Sequence, residues 1–480
     1  MQLGLDIGTS GVKAVLVGDD GLVAAEASAP LDVSRPHPLW SEQDPADWWR
    51  AAEAAVLALP ADLRGRVDAI GLAGQMHGAV LLDHADRVLR PAILWNDGRA
   101  GAECDELERD CPGLRAIAGN AAMPGFTAPK LLWMRRHEPD IFARVAKVLL
   151  PKDHVRLRMT GEHATDLSDA SGTLWLDVGA RRWSETLLAA TGLGLDHMPR
   201  VHEGPEVTGT LRAEIAAAWG MGRVPVAAGG GDNAAAAVGT GVTGPGEAFL
   251  SLGTSGVIFA ADDRFRPAPD RGAHAFAHAL PGRWHQMAVI LSAASAVDWA
   301  ARVAGFPNVA AGLAEAEGLA PFAGRAQFLP YLSGERTPHN DPDAAGLLAG
   351  LTHATGRGDL MLAAMEGVAF ALADGLAVLT EASADIDRLS VVGGGARSAA
   401  WGRILAAALD RPLRYGRDAH VGPAFGAARL ARIGLGASAD EVATAPALER
   451  MVEPDPALAR AAAEKYARWR ALYPALRGLA

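Results

Sequence analysis

The turn Gly-Thr-Ser-Gly-Val occurs twice in this chain of 480 residues, at 8–12 in LGLDIGTSGVKAVLV and at 253–257 in AFLSLGTSGVIFAA. Each copy follows an apolar run and leads into another that begins with a β-branched residue. The pattern predicts strand, tight turn, strand, with glycine adopting backbone angles that strain other residues. A motif that returns half a chain later predicts a duplicated domain rather than a stack of short repeats.

The surrounding sequence supports two matching halves. The first opens with the strands QLGLDI, VKAVLV and LVAAEAS, joined by GTSG and GDDG. A helix around 45–59 follows, with Asp44 as its N-cap ahead of a proline. The strand VDAIGLAG then ends in the polar tip Gln75-Met76-His77, and helices are predicted around 131–137 and 151–159. The pattern restarts at VPVAAGGG, a strand that breaks into glycines, with DNAAAAVG as a helix start. A long helix at about 359–380 and the strand–turn–helix RLSVVGGGARSAAWGRILAAAL complete the second half. Alternating strands and helices make the class α/β. The boundary is set at MGRVP, giving domains 1–222 and 223–480.

Composition narrows the function. The net charge is −11 with no run of five like charges, which argues against a nucleic-acid partner. Cys104 and Cys111 are the only cysteines; they sit in AECDELERDCPG, which reads as an exposed acidic helix carrying reduced thiols. The start MQLGLDI has no signal-peptide pattern, and apolar stretches such as 248–261 are too short and glycine-rich to span a bilayer. A cytoplasmic protein with no membrane partner is expected. Only five lysines occur, so Lys13 beside the first turn stands out, although a solvated strand-end lysine is its plainer reading.

A polar glycine turn can present backbone N–H groups and hydroxyls to an anion, most often phosphate. Two such turns across a cleft would clasp a polyphosphate from both sides; a single copy would read as an ordinary hairpin. Asp6 precedes the first turn, where a carboxylate beside phosphate calls for an intervening cation, and Mg²⁺ suits that set of oxygen ligands. Asp232, after the glycines of GGGDNAAAAVG, is either a proton acceptor or a plain N-cap. GGGARSAAWG at 393–402 is a second glycine turn entering a helix, able to receive a nucleotide edge. The GxGxxG match at 239–244 lies after a helix rather than a strand, and no GxxxxGK[ST] or HExxH motif exists.

Taken together, LGLDIGTSGVK, GLAGQMHGAVLLD, PAILWNDGRA, MPGFTAPKLLW, LLPKDHVRLRMTGE, AGGGDNAAAAVG, SLGTSGV, FLPYLSGERTPHND and VVGGGARS closely resemble the FGGY carbohydrate kinases. GQMHG and SRPHPLWSEQDP point to the xylulokinase branch, and the resemblance runs to about residue 432. It implies two ribonuclease H-like domains of the actin and hexokinase type, with nucleotide and sugar held in the cleft between them. It also implies ATP-dependent phosphorylation of D-xylulose to D-xylulose 5-phosphate. By this likeness Asp232 is the catalytic base and Asp6 is important for activity near Mg²⁺, with Asp232 a further metal candidate. Gln75, Met76, His77, Asp232 and Asn233 are expected at the sugar. Gly253, Thr254, Ala294, Gly394, Gly395 and Ala396 are expected at ATP, with Thr9, Ser10 and Lys13 added from the first turn. A homodimer stays open, as do ribulose, gluconate or glycerol as substrate. From another class, an actin-like ATPase acting as a chaperone or filament stays open too.

Overall fold

A computed structural model of the chain describes residues 1–382, 386–417 and 422–477. Two seven-stranded sheets organise it. The first runs Val207–Thr210, Pro225–Ala227, Ala69–Gly74, Gln2–Ile7, Gly11–Val17, Val23–Pro30, with Gly230–Gly231 also paired to Ala69–Gly74. The second runs Leu448–Val452, Leu413–Gly416, Arg388–Val392, Glu247–Leu252, Gly256–Asp262, Trp284–Ile290, His274–Ala277. Both follow one path. A hairpin built on the GTSGV turn is extended by an antiparallel strand on one side. On the other side stand two parallel strands and an antiparallel edge. The duplication read from the turns is therefore a duplication of topology.

Local chemistry sets the elements. Asp44 caps the Pro45–Ala58 helix by accepting from the Ala46 N–H, as its sequence predicts. Leu3, Leu5 and Ile7 join Trp48 and Trp219 in the core on one face of the first sheet. The other face is built for close approach. A Cβ on Gly4 would lie 1.8 Å from the Ala424 carbonyl oxygen, and one on Gly71 would lie 1.9 Å from that of Ala427. Gly4 and Gly71 are register partners, so together they form a groove for the Gly422–Gly434 helix. The Asp232–Thr240 helix packs on that helix in turn, where a Gly426 Cβ would lie 1.7 Å from the Ala235 carbonyl oxygen. The small-residue face of Gly422–Gly434 is thus spent on internal packing.

Chain order and sheet membership part company near the middle. Pro225–Ala227 and Gly230–Gly231 lie beyond residue 222 yet hydrogen-bond into the first sheet. Arg357–Ala382 is long and apolar enough to cross a membrane by composition, but 94 % of its most apolar window is buried inside the protein. One expectation is corrected. Cys104 and Cys111 are buried: the Gly101–Asp110 helix turns Glu103, Cys104 and Leu107 inward, while Asp105 and Asp110 face out. Burial, with Asp105 and other acids nearby, pushes the Cys104 thiol up to about 12.

Candidate active site

The parallel strands Gln2–Ile7, Ala69–Gly74 and Gly230–Gly231 end side by side, with Asp6 and Gly230 both opposite Ala73, and Ile7 and Gly231 both opposite Gly74. Open α/β sheets bind ligands at such carboxyl ends. Here the strand ends deliver the first GTSG turn, the tip Gln75–His77 and Asp232 to one place.

The first turn closes through the Gly8 N–H donating to the Gly11 carbonyl at 3.1 Å. Its Thr9 hydroxyl donates to Gln75 Oε1 and accepts from Trp95 Nε1, both at 2.9 Å. Gln75 Nε2 donates to Gln43 Oε1, and Gln43 Nε2 donates to the Thr9 carbonyl. Thr9 and Gln75, expected at ATP and sugar respectively, are engaged with each other, and the buried Gln75 amide braces the turn. Ser10 is exposed at the tip. Lys13 stands opposite Asp6 in register but pairs with Glu26 at 3.0 Å.

Asp6 Oδ1 is buried and has no hydrogen-bond partner. Burial first, then the charge of Asp232, pushes the Asp6 carboxyl up to about 7, with Lys13 opposing. Asp6, opposite Ala73, and Asp232, next after Gly231 opposite Gly74, both stand at the carboxyl ends of strands that flank Ala69–Gly74. An orphaned carboxylate oxygen at a strand end shared with a second acid fits a hard divalent cation, with phosphate and water completing its shell. Among the described residues no group of three or more His, Cys, Asp or Glu side chains gathers as a cation site, so protein alone would not enclose the ion.

Asp232 is the first residue of its helix, and Gly231 occupies the N-cap, so the N-cap alternative for Asp232 does not hold. Its Oδ1 accepts from the Asn233 backbone N–H at 2.7 Å and the Asn233 amide at 2.9 Å. Burial raises its carboxyl to about 6 against those two bonds. Met76 packs on Gly231, where a Cβ would meet its Sδ at 2.9 Å. His77 takes a left-handed backbone, φ 71°. Burial holds its imidazole down to about 3, so the ring is neutral. Its Nδ1 lies 2.6 Å from the Gly172 carbonyl oxygen and must therefore carry the proton, which leaves Nε2 as an acceptor.

The second turn gathers the other predicted residues. The Ala293 and Ala294 N–H groups donate to the Thr254 and Gly253 carbonyls, seating the Ala294–Val303 helix on the turn. Gly393, at φ 91°, passes so close to the Leu252 carbonyl that a Cβ would sit 2.7 Å from its oxygen. Gly394 and Gly395 follow in the short Gly394–Arg397 turn that also contains Ala396, and space beside Gly394 is open. Gly253, Thr254, Ala294 and the 394–396 turn therefore meet around the end of one strand.

Sequence reasoning missed the supports. Lys130 is fully buried and donates to the carbonyls of His77 at 2.9 Å and Gly125 at 2.8 Å. Lys152 is fully buried among Asp153, Asp166 and Asp169. Scarcity was the available signal: a chain that uses arginine for its surface reserves Lys130, Lys152 and Lys465 for the interior.

Comparison with known proteins decides the family. Residues 1–239 match the N-terminal domain of the FGGY family of carbohydrate kinases, and residues 248–435 match its C-terminal domain. The chain belongs to the FGGY family of carbohydrate kinases. This FGGY kinase is 55 % identical over 435 residues to the xylulose kinase of Escherichia coli K12, covering 90 % of each chain. It is 54 % identical to that of Klebsiella pneumoniae, covering 92 % and 91 %. Among solved structures it resembles one described as a xyloylose kinase from Brucella ovis, with TM-score 0.97 and 52 % identity over 100 % and 99 % of the two chains. The fold is the two-domain, actin- and hexokinase-like one expected, and the enzyme is a phosphotransferase with ATP as its phosphoryl donor.

Proposed function

We propose that this FGGY kinase phosphorylates D-xylulose with ATP, giving D-xylulose 5-phosphate and ADP. The observation that carries the reading is the seating of Met76 against Gly231, the residue before Asp232, with His77 beside it on Gly172, in a chain similar to xylulose kinases over nine-tenths of its length.

In this reading Met76 walls the sugar, and His77 Nε2 accepts a hydrogen bond from one of its hydroxyls. Asn233 holds Asp232 Oδ1, leaving Oδ2 for the attacking hydroxyl. Asp232 takes the hydroxyl proton as the sugar oxygen bonds to the γ-phosphorus and the bond to the ADP oxygen breaks. The two GTSGV turns face the phosphates, and the 394–396 turn receives the nucleoside. Asp6 and Asp232 would hold Mg²⁺, directly or through water. When bound, the ion neutralises phosphate charge. The same reading makes the enzyme cytoplasmic, with sugar and nucleotide as its partners, and its negative net charge disfavours nucleic acid.

The test is ADP release with Mg-ATP against D-xylulose, L-ribulose, D-ribulose, glycerol, gluconate and no sugar. Strong preference for D-xylulose supports the reading. Preference for another polyol keeps the kinase and overturns the substrate.

A further inference from the structure

The residues leading into Asp232 are Gly229, Gly230 and Gly231. Gly229 has φ 81°, and a Cβ there would lie 1.8 Å from the Leu72 carbonyl oxygen, so the close approach requires glycine. Three glycines have no side chains with which to fix the peptide that aims Asp232. The restraint has to come from outside the segment.

Pairing with Ala73–Gly74 and the Gly204 carbonyl hold the strand, and Ser168 holds the Gly231 N–H itself. This side chain is fully buried, and its hydroxyl oxygen accepts from the Gly231 N–H at 3.0 Å. A hydroxyl has one proton, and that proton is committed: Ser168 Oγ donates to Asp166 Oδ2 at 2.5 Å. The same carboxylate oxygen accepts the Ser168 N–H at 2.8 Å, while Asp166 Oδ1 pairs with Lys152 at 2.8 Å. Asp166 thus turns the lone pair of Ser168 toward Gly231, and Lys152 holds Asp166.

The anchor is costly, because burying ions costs several kcal/mol each and apolar residues often fill such a volume as stably. Lys152, Asp153, Arg156, Asp166 and Asp169 are all fully buried. Burial raises the Asp169 carboxyl well above its ordinary value despite Lys152. What this buried cluster supplies is direction: Lys152 lies under the strand tip, its Cβ 3.1 Å from where a Gly74 Cβ would stand. The short Leu167–Ser171 helix that carries Ser168 is followed by Gly172, whose carbonyl holds His77.

We propose that Ser168 is a positioning residue for Asp232, clamping the Gly231 N–H with a hydroxyl aimed by the buried Asp166–Lys152 pair. The proposal rests on the reading of Asp232 as the base. The full chain is assayed as wild type, Ser168→Ala, Ser168→Cys, Ser168→Thr, Asp232→Asn and the Ser168→Ala/Asp232→Asn double variant. Kinetic constants, sugar binding by calorimetry and melting temperature are measured. Loss of alignment of this kind costs up to about 100-fold. Ser168→Ala and the volume-filling Ser168→Cys should lower kcat about 10- to 100-fold, with sugar affinity within about threefold. Ser168→Thr, which keeps the hydroxyl, should recover most of the rate. In the Asp232→Asn background Ser168→Ala should add nothing. Should Ser168→Ala fail to fold, Ser168→Cys carries the comparison. The proposal is overturned if the folded variants keep kcat within twofold, if sugar affinity falls as far as kcat, or if the two losses multiply. Normal turnover by Asp232→Asn would instead remove the base reading, whatever the Ser168 variants do.

Discussion

Lys13 faces Asp6 across the first hairpin, yet its ammonium pairs with Glu26 on the next strand, 3.0 Å away. With Lys13 and Glu26 both partly exposed, such a pair contributes at most about 1 kcal/mol, so phosphate can compete for the lysine. Lys13→Met is expected to raise the KM for Mg-ATP about 10-fold, the equivalent of one charge-assisted hydrogen bond of about 1.4 kcal/mol. The KM for sugar and the melting temperature should hold. An unchanged nucleotide KM would leave Lys13 as a strand-pairing residue.

Asp232→Asn keeps the shape of the side chain and loses the proton acceptor. Turnover should fall about 10²- to 10⁴-fold, while calorimetry should find sugar binding within a few-fold of wild type. Stability should hold or rise, because burial already disfavours this carboxylate. Near-normal ADP release would take the base role from Asp232.

Gly172→Ala places a methyl 2.5 Å from His77 Nδ1 and Cε1 and 3.0 Å from Met76 Cε. The ring must move, since its bond to the Gly172 carbonyl fixes it from the same side. The expected result is a KM for sugar raised at least about 10-fold, as for loss of a hydrogen bond in a buried site, with the KM for ATP unchanged. Equal loss of both would show a general disturbance of the cleft rather than of the sugar side.

Lys130 ties stability to pH. Burial lowers its ammonium from 10.5 to about 7 in the fold, with Asp97 opposing. Above about pH 10.5 both folded and unfolded chains are neutral here and the cost vanishes. Between about 7 and 10.5 the unfolded chain binds the proton and the folded one does not, so this term raises stability as pH rises. Below about 7 the full cost remains. Melting curves should therefore show wild type gaining on Lys130→Met from pH 7 to 10. A constant difference would mean that Lys130 stays charged in the fold.

Gly426→Ala drives a methyl to within 1.7 Å of the Ala235 carbonyl oxygen at the crossing of the Asp232–Thr240 and Gly422–Gly434 helices. Backbone must part from backbone. A loss of about 1–3 kcal/mol or more is expected, read by denaturant titration. Wild-type stability would show that the helices separate freely.

The strands, the two turns, the glycine breaks and the caps were legible in the sequence, because each is written in neighbouring residues: alternation, small turn residues and Asp44 before Pro45. So were Asp6, Met76, His77 and Asp232, which stand at the ends of legible strands. Tertiary structure alone decided what surrounds them. It returned residues 225–231 to the first sheet and laid a late helix across Gly4 and Gly71. It turned both cysteines inward, set Gln75 to brace Thr9, and buried Lys130 and Lys152 beneath the site. The reason is physical. Backbone preference acts over a few residues and can be read from them. Burial, charge pairing and proton position depend on groups as distant in sequence as His77 and Gly172, which meet only once the chain has folded.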